Sequence, residues 1–291
     1  MISRRRALKV LGAVAVAGIG AAAWGFGAEP ALRLRVKRYQ LSPANWTGGA
    51  LRIACLADFH LGAPYVDLDR LARIVARANA LEADLIVLLG DFAAGHRFVS
   101  TPVRIADAAP ILARLRAPLG CYSVLGNHDW WDDLSAQRRG GGPNLYAEAL
   151  INAGIPVLSN AAIRLPGFWL AGLEDQLAIH RGAEGITGLD DLPGTLAQVD
   201  DDGPVILLAH EPDIFPQVPD RVALTLAGHT HGGQVRLFGW SPIVPSRYGN
   251  RFAYGHVCEA NRHMVVTGGI GCSILPVRFG MPPEITLIDL S

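Results

Sequence analysis

The sequence predicts an α/β protein built on a sheet-based core with no internal domain break. Three observations carry that reading. Apolar strand-like runs alternate with amphipathic helical stretches from Leu32 to about Gly232. Several runs, among them "DLIVLLGD" and "GPVILLAH", are continuously apolar, the pattern of strands covered on both faces. Beyond Gly232 helical periodicity stops, and "QVRLF", "RFAYGHV", "HMVVTGG" and "EITLIDL" all read as strands.

Taken in order, the chain opens with Arg4, Arg5, Arg6 and Lys9 followed by an uncharged stretch from Val10 to Gly27. A basic start and an apolar core are the parts of a targeting segment. The run from Ser3 to Lys9 resembles a twin-arginine export signal, with Ala7 where that pattern prefers phenylalanine. Residues 1–28 are therefore expected to be an export signal or an N-terminal membrane anchor, and residues 29–291 the folded domain. The expected location is the cell envelope, in the periplasm or on the outer face of the inner membrane, with the twin-arginine machinery as a partner.

"LRLRVKRYQL" alternates apolar and basic residues and predicts a half-exposed strand, and "LRIACLAD" a buried one. The spacing of Leu68, Leu71, Ile74, Val75, Ala78 and Leu81 predicts an amphipathic helix over Asp67–Leu81. "DLIVLLGD" is the next strand, then a helix over Val103–Arg116 stopped by Pro118. "GCYSVLGNHD" predicts a strand, Asn144–Ala153 a helix, and "IPVLSN", "GFWLAGL", "GPVILLAH" and "RVALTLAGH" four more strands. Residues 96–101 and 130–143 are predicted to be turn-rich insertions.

Five of these strands end in residues suited to metal binding. The endings are Asp58-Phe59-His60, Gly90-Asp91, Gly126-Asn127-His128-Asp129, His210, and Gly228-His229-Thr230-His231. In open α/β sheets, sites gather at the carboxyl ends of strands, so the five are expected to converge on one crevice of one sheet. In extended backbone, residues two apart face the same side. That places Asp58 with His60, and His229 with His231, while Gly228, Gly232 and Gly233 let the backbone approach and turn.

The candidate ligands are Asp58, His60, Asp91, Asn127, His210, His229 and His231. This is a hard-to-borderline donor set without thiolate, suited to Mn²⁺ first, with Fe, Zn or Co as alternatives. Seven donors exceed one ion's needs and suit two ions sharing a carboxylate. Two divalent ions, less the charges of Asp58, Asp91 and a bridging hydroxide, keep a positive excess for an anionic phosphate. Two metals about 3.5–4 Å apart, supplying hydroxide for in-line attack at phosphorus, are a recurrent design.

This series of motifs resembles the calcineurin-like metallophosphoesterases, and "GGIGCSILPVRFGMPPEITLIDL" resembles the end of the twin-arginine-bearing YaeI/YkuE-like phosphodiesterase branch. The resemblance implies a four-layer α/β/β/α sandwich of two mixed sheets, the metallo-dependent phosphatase fold, with a dinuclear centre. It implies one ion held by Asp58, His60 and His231, the other by Asn127, His210 and His229, and Asp91 as the bridge. It also implies that His128 serves as general acid; the neighbouring Asp129 is a candidate to orient it. The substrate expected is a small-molecule or lipid-like phosphoester, chiefly a phosphodiester. A lipid pyrophosphate of the UDP-2,3-diacylglucosamine type is the alternative, and a non-catalytic metal-binding module of the same fold is the alternative of another class. Where many members carry a second acidic residue after Gly90-Asp91, this chain reads Phe-Ala-Ala-Gly.

Other residues read more plainly. Lysine plus arginine equals aspartate plus glutamate at 26 each, so nucleic acid is not an expected partner. The four cysteines lack a Cys-x-x-Cys pair; Cys55 and Cys121 read as buried thiols, and pairing of Cys258 with Cys272 is left open. His96, His180, His256 and His263 read as surface or core residues, with His96 near enough in sequence to Asp91 to reach substrate. Arg247, Tyr248 and Arg278 are candidate phosphate contacts, and Phe92, Trp130 and Trp131 a candidate apolar lip.

Overall fold

The computed structural model describes residues 4–291, so Ser3 of the export-type motif lies outside the described residues. Strands β1 (Arg35–Leu41), β2 (Leu51–Leu56), β3 (Leu85–Leu89) and β4 (Cys121–Val124) join the last strand, β11 (Glu284–Leu290), in one sheet. Its order is β1-β11-β2-β3-β4, parallel except where β11 runs against β2. The second sheet comprises β5 (Ala161–Leu165), β6 (Phe168–Gly172), β7 (Val205–Leu208), β8 (Val222–Ala227), β9 (Gly255–Glu259) and β10 (Arg262–Val266). Its order is β9-β10-β8-β7-β6-β5, with a parallel centre and antiparallel hairpins at both edges.

Side-chain alternation along the strands builds the layers. Ile53, Leu85, Val87 and Val124 of the first sheet meet Leu170, Ile206, Leu208 and Leu224 of the second in a core between the sheets. The intervening residues Ala54, Leu56, Ile86 and Leu88 face outward. They are covered by α2 (Leu68–Asn79), α3 (Ile105–Leu112) and α5 (Leu145–Asn152). On the far side, Val205 and Leu207 pack under α6 (Leu192–Leu196) and Ile214. The result is the expected α/β/β/α order. Asp67, the expected first residue of this helix, is its cap, accepting from Arg70 N at 2.7 Å.

Several elements differ from expectation. "IPVLSN" makes one bridge to Ser123 rather than a strand, and "QVRLF" makes two isolated bridges, Val235 to Phe279 and Leu237 to Trp240, the second closing a turn through Gly239. The 3₁₀ turn Gly249–Phe252 replaces the start of the predicted "RFAYGHV" strand. Residues 130–143 are largely helical: α4 (Asn127–Asp132) starts within the predicted "GNHD" strand end, and a second short helix, Leu134–Arg139, is capped by Asp133. Strand β5 was not expected, because "AAIRL" has little apolar bulk. At the N-terminus, α1 (Arg4–Ala23) is exposed and continues into a turn over Trp24–Ala28 that docks on the domain. The four cysteines are free: Cys55 and Cys272 are buried, Cys121 half-buried and Cys258 exposed.

Candidate metal centre

The site lies at the carboxyl ends of five strands, but of two sheets rather than one. Asp58 and His60 follow β2, Asp91 follows β3 and Asn127 follows β4, while His210 follows β7 and His229 with His231 follow β8. The facing sheets bring both sets together. His60 Nε2 lies 3.0 Å from His231 Nε2, and His231 Nε2 lies 3.7 Å from Asp58 Oδ1. On the other side, His229 Nδ1 is 3.0 Å from Asn127 Oδ1 and 3.3 Å from His210 Nε2. Asp91 Oδ2 stands between the groups, 3.6 Å from His60 Nε2 and 3.3 Å from His210 Nε2. All seven expected side chains meet in one cluster.

The local backbone corrects one part of the prediction. The paired residues are not extended: φ is +54° at Asp58, +42° at His60, +68° at His229 and +51° at His231, and +57° at Asp91. Left-handed backbone at a non-glycine residue is uncommon and costs roughly 1–3 kcal/mol. It turns each side chain inward independently, so His229 and His231 reach opposite halves of the cluster rather than one spot. Two glycines make room. A Cβ on Gly126 would fall 2.7 Å from His210 Cε1, and one on Gly228 would fall 3.0 Å from Asp58 Oδ2.

Hydrogen bonding assigns the ring protons. His60 donates Nδ1–H to Ala93 O at 2.8 Å, and His210 donates Nδ1–H to Leu89 O at 2.6 Å. Each therefore turns its Nε2 to the cluster, the nitrogen left to meet a cation. Asp58 Oδ2 is buried without a hydrogen-bond partner, and an orphaned carboxylate oxygen among imidazoles fits a cation-binding role. Burial pushes Asp58 up to about 7 and His60 down to about 3. Burial also opposes ionisation of Asp91, but His210, His128 and His60 more than offset it and hold its carboxyl well below the usual range. Reciprocally, burial disfavours protonated His210, and Asp91, Glu211 and Asp58 overcome it and raise His210 well above the usual imidazole value. The donors thus fit two hard-to-borderline cations that would take the place of these shared protons.

His128 sits beside this cluster, half-buried, its ring 4.9 Å from that of His60 and 5.0 Å from Trp131. Its backbone N–H donates to Asp91 Oδ1 at 2.9 Å, and Nε2 is 3.3 Å from Ser273 Oγ. It lines a cleft of about 250 Å³ with Asp91, Asn127, His229 and His231. A second cleft of about 340 Å³, lined by Glu211, Asp213 and Arg247, shares Trp131, His229 and Pro245 with the first.

Asp129 does not orient His128. Its buried carboxylate accepts four backbone N–H groups, from Asp91, Phe92, Ala93 and Gly126. Phe92 and Trp130 are core residues rather than a lip; Trp131 alone of the three borders the cleft. Arg278 is fully buried, donating to the carbonyls of Gly268, Gly271 and Met281 and to His231 Nδ1 at 3.1 Å. It holds a ligand candidate from behind instead of facing phosphate. Arg247 pairs with Asp213 at 3.3 Å, Tyr248 packs on Phe252, and His96 lies outside both clefts. Sequence reasoning missed Ser273 and the buried pair Asp175 and Glu211, which clusters with His210. Glu211 was legible as the residue following a strand-end histidine.

Comparison with known proteins agrees with this architecture. The calcineurin-like phosphoesterase family model matches residues 51–233. The metallophosphoesterase YkuE of Bacillus subtilis (strain 168) is 32% identical, over 99% of this chain and 98% of its own. Phosphodiesterase YaeI of Escherichia coli (strain K12) is 29% identical over 100% of both chains. A Danio rerio transmembrane protein with a metallophosphoesterase domain is 33% identical, over 82% of this chain and 53% of its own. Five strand-end motifs, a donor cluster between two sheets and relatives spanning the whole chain lead to one conclusion: the chain belongs to the calcineurin-like phosphoesterases and is a metal-dependent phosphoesterase.

Proposed function

We propose that the protein is a phosphodiesterase of the cell envelope. The observation that carries this reading is the meeting of two clefts at His229: one has mostly apolar walls, the other carries Glu211, Asp213 and Arg247. A phosphodiester has two substituents to accommodate, and a monoester needs one cleft. Asp58, His60 and His231 would hold one cation, Asn127, His210 and His229 the other, with Asp91 shared. When bound, such a pair supplies positive charge for the phosphoryl oxygens and lowers the pKa of water. His128, which lines the apolar cleft, would deliver a proton to the leaving oxygen, its Nε2 held until then by Ser273 Oγ at 3.3 Å. The apolar cleft favours a substrate with one apolar substituent, which keeps a lipid pyrophosphate as the second reading.

Mn²⁺ is the proposed ion, since the donors are carboxylate, amide and imidazole without thiolate. The N-terminal segment is proposed to be retained as an anchor. Cleavage after Gly27 would remove Gly25 O and Phe26 O, which accept from Arg278 N at 2.9 Å and Tyr65 Oη at 2.5 Å. The test is hydrolysis of bis(p-nitrophenyl) phosphate by the Mn²⁺-loaded full chain, against the matching monoester and a lipid pyrophosphate. The diester is expected to react fastest and chelation to abolish turnover. Preference for the monoester would refute the diesterase reading.

A further inference from the structure

The described residues include a set of large apolar side chains left in water around the mouth of the apolar cleft. Phe238 is 107% exposed, Ile243 73%, Ile274 65% and Trp240 59%, with Leu237 and Leu275 each at 48%. They come from two neighbouring segments. Phe279 N donates to Gln234 O and Arg236 N to Phe279 O, joining the segments, and Gln234 Nε2 reaches Ser273 O at 2.9 Å. Ile243, Ile274 and Leu275 also line the cleft. A contiguous apolar rim of this kind marks a surface that is covered in use.

What covers it is indicated by its neighbour. The segment 273–280 is where the N-terminal apolar helix joins the domain. Arg278 N donates to Gly25 O at 2.9 Å, and Gly280 N to the buried Glu29 at 3.2 Å. Tyr65 Oη donates to both Phe26 O and Pro276 O. The helical stretch Arg4–Leu32 is long and apolar enough to cross a membrane. Trp24 and Phe26, at its domain end, are 43% and 49% exposed, as aromatic residues at a membrane–water boundary are. The domain end of the apolar helix and the Ile274 and Leu275 side of the rim are thus joined to one segment, 273–280.

We propose that Leu237, Phe238, Trp240, Ile243, Ile274 and Leu275 form a lip that inserts into the bilayer beside α1, so that the apolar cleft opens into the membrane surface. This rests on the retained anchor and not on catalysis. The cleft then takes its apolar substituent from the lipid phase, and the phosphorus stays at headgroup depth.

The test uses the full chain reconstituted in vesicles of phosphatidylethanolamine and phosphatidylglycerol, with or without phosphatidylcholine brominated on the upper acyl chain. Comparison of the wild type with Trp240→Phe and Trp24→Phe isolates the emission of each indole. The Trp240 share is expected to fall about twofold or more in brominated vesicles, as for an interfacial indole. Phe238→Asp, at a fully exposed position outside the cleft, is expected to relieve that quenching. Quenching of Trp24 without Trp240 overturns the lip and leaves the anchor standing. Quenching of neither overturns both. Trp240 emission that varies with protein concentration rather than bromolipid overturns the lip in favour of self-association.

Discussion

Replacing Asp129 by Asn removes a charge and one acceptor while keeping the shape of the side chain, and the structure sets the cost. Oδ2 accepts from Asp91 N at 2.9 Å and Gly126 N at 3.0 Å; Oδ1 accepts from Phe92 N at 2.7 Å and Ala93 N at 2.9 Å. An amide keeps one oxygen for two of these donors and turns its own N–H groups toward the other two. Two buried N–H groups then go unpaired, at about 1–3 kcal/mol each, and the surviving bonds lose their charge assistance. The loss is about 4 kcal/mol, a large share of the roughly 5–15 kcal/mol that holds a domain folded. Urea unfolding of the metal-free protein, wild type against Asp129→Asn, measures it directly. The same substitution loosens the backbone at Asp91, so Mn²⁺ affinity is expected to fall as well. A stability change below about 1 kcal/mol would refute the clamp, because two charge-assisted bonds cannot be removed and two more weakened so cheaply.

His128→Ala is expected to keep Mn²⁺ affinity while lowering kcat/KM on a diester by about 10²–10⁴, the usual contribution of a general acid; loss of metal in calorimetry would instead make His128 a ligand. Metal affinity is expected to rise with pH. Asp58, raised by burial to about 7, is charged and ready above that value and must lose a proton below it, and the raised His210 competes in the same direction. Affinity at pH 6 is therefore expected to be about tenfold weaker than at pH 8 from Asp58 alone, and a titration calorimetry series showing no change would exclude that coupling. Arg278→Lys reaches fewer of the three carbonyls and His231 Nδ1. It is expected to weaken metal binding about 10–100-fold, as loss of a ligand's supporting partner does; unchanged affinity would make Arg278 a folding residue only. Arg4→Lys with Arg5→Lys is expected to leave the protein in the cytosol on fractionation, and normal arrival in the envelope would remove the twin-arginine reading.

The site was legible where chemistry coincides with punctuation. Each of Asp58, Asp91, Asn127, His210 and His229 follows an apolar run at a strand's carboxyl end, and the run itself fixes the strand. Three features were not legible. The two-sheet origin of the cluster was hidden, because consecutive strands within a run look alike whichever sheet they join. The burial of Arg278 contradicts the normal exposure of arginine and depends on carbonyls contributed by Gly268, Gly271 and Met281 after folding. The exposed rim was masked for the opposite reason. "QVRLF" reads as a strand, and only the turn from Leu237 to Trp240, held by reciprocal backbone hydrogen bonds, leaves its apolar end in water.

The left-handed residues explain why the clamp and the ligands belong to one device. Five candidate ligands, Asp58, His60, Asp91, His229 and His231, hold positive φ without being glycine. At roughly 1–3 kcal/mol each, that strain would unfold the loops unless something opposed it. The opposition is visible in the backbone. Asp58 N donates to Gly90 O, His60 N to Asp91 O and Leu61 N to Phe92 O, so the loops after β2 and β3 are tied to one another. Asp129 then ties the second of them to Gly126 at the end of β4. His229 N donates to Asp58 Oδ1 at 2.9 Å, which links the second sheet to the first through a ligand candidate itself. Strain at each ligand is thus balanced by hydrogen bonds that span all the loops. The donors are held in place by the protein before any ion arrives, and cations entering such a site gain affinity because the cost of ordering it has been met by the fold.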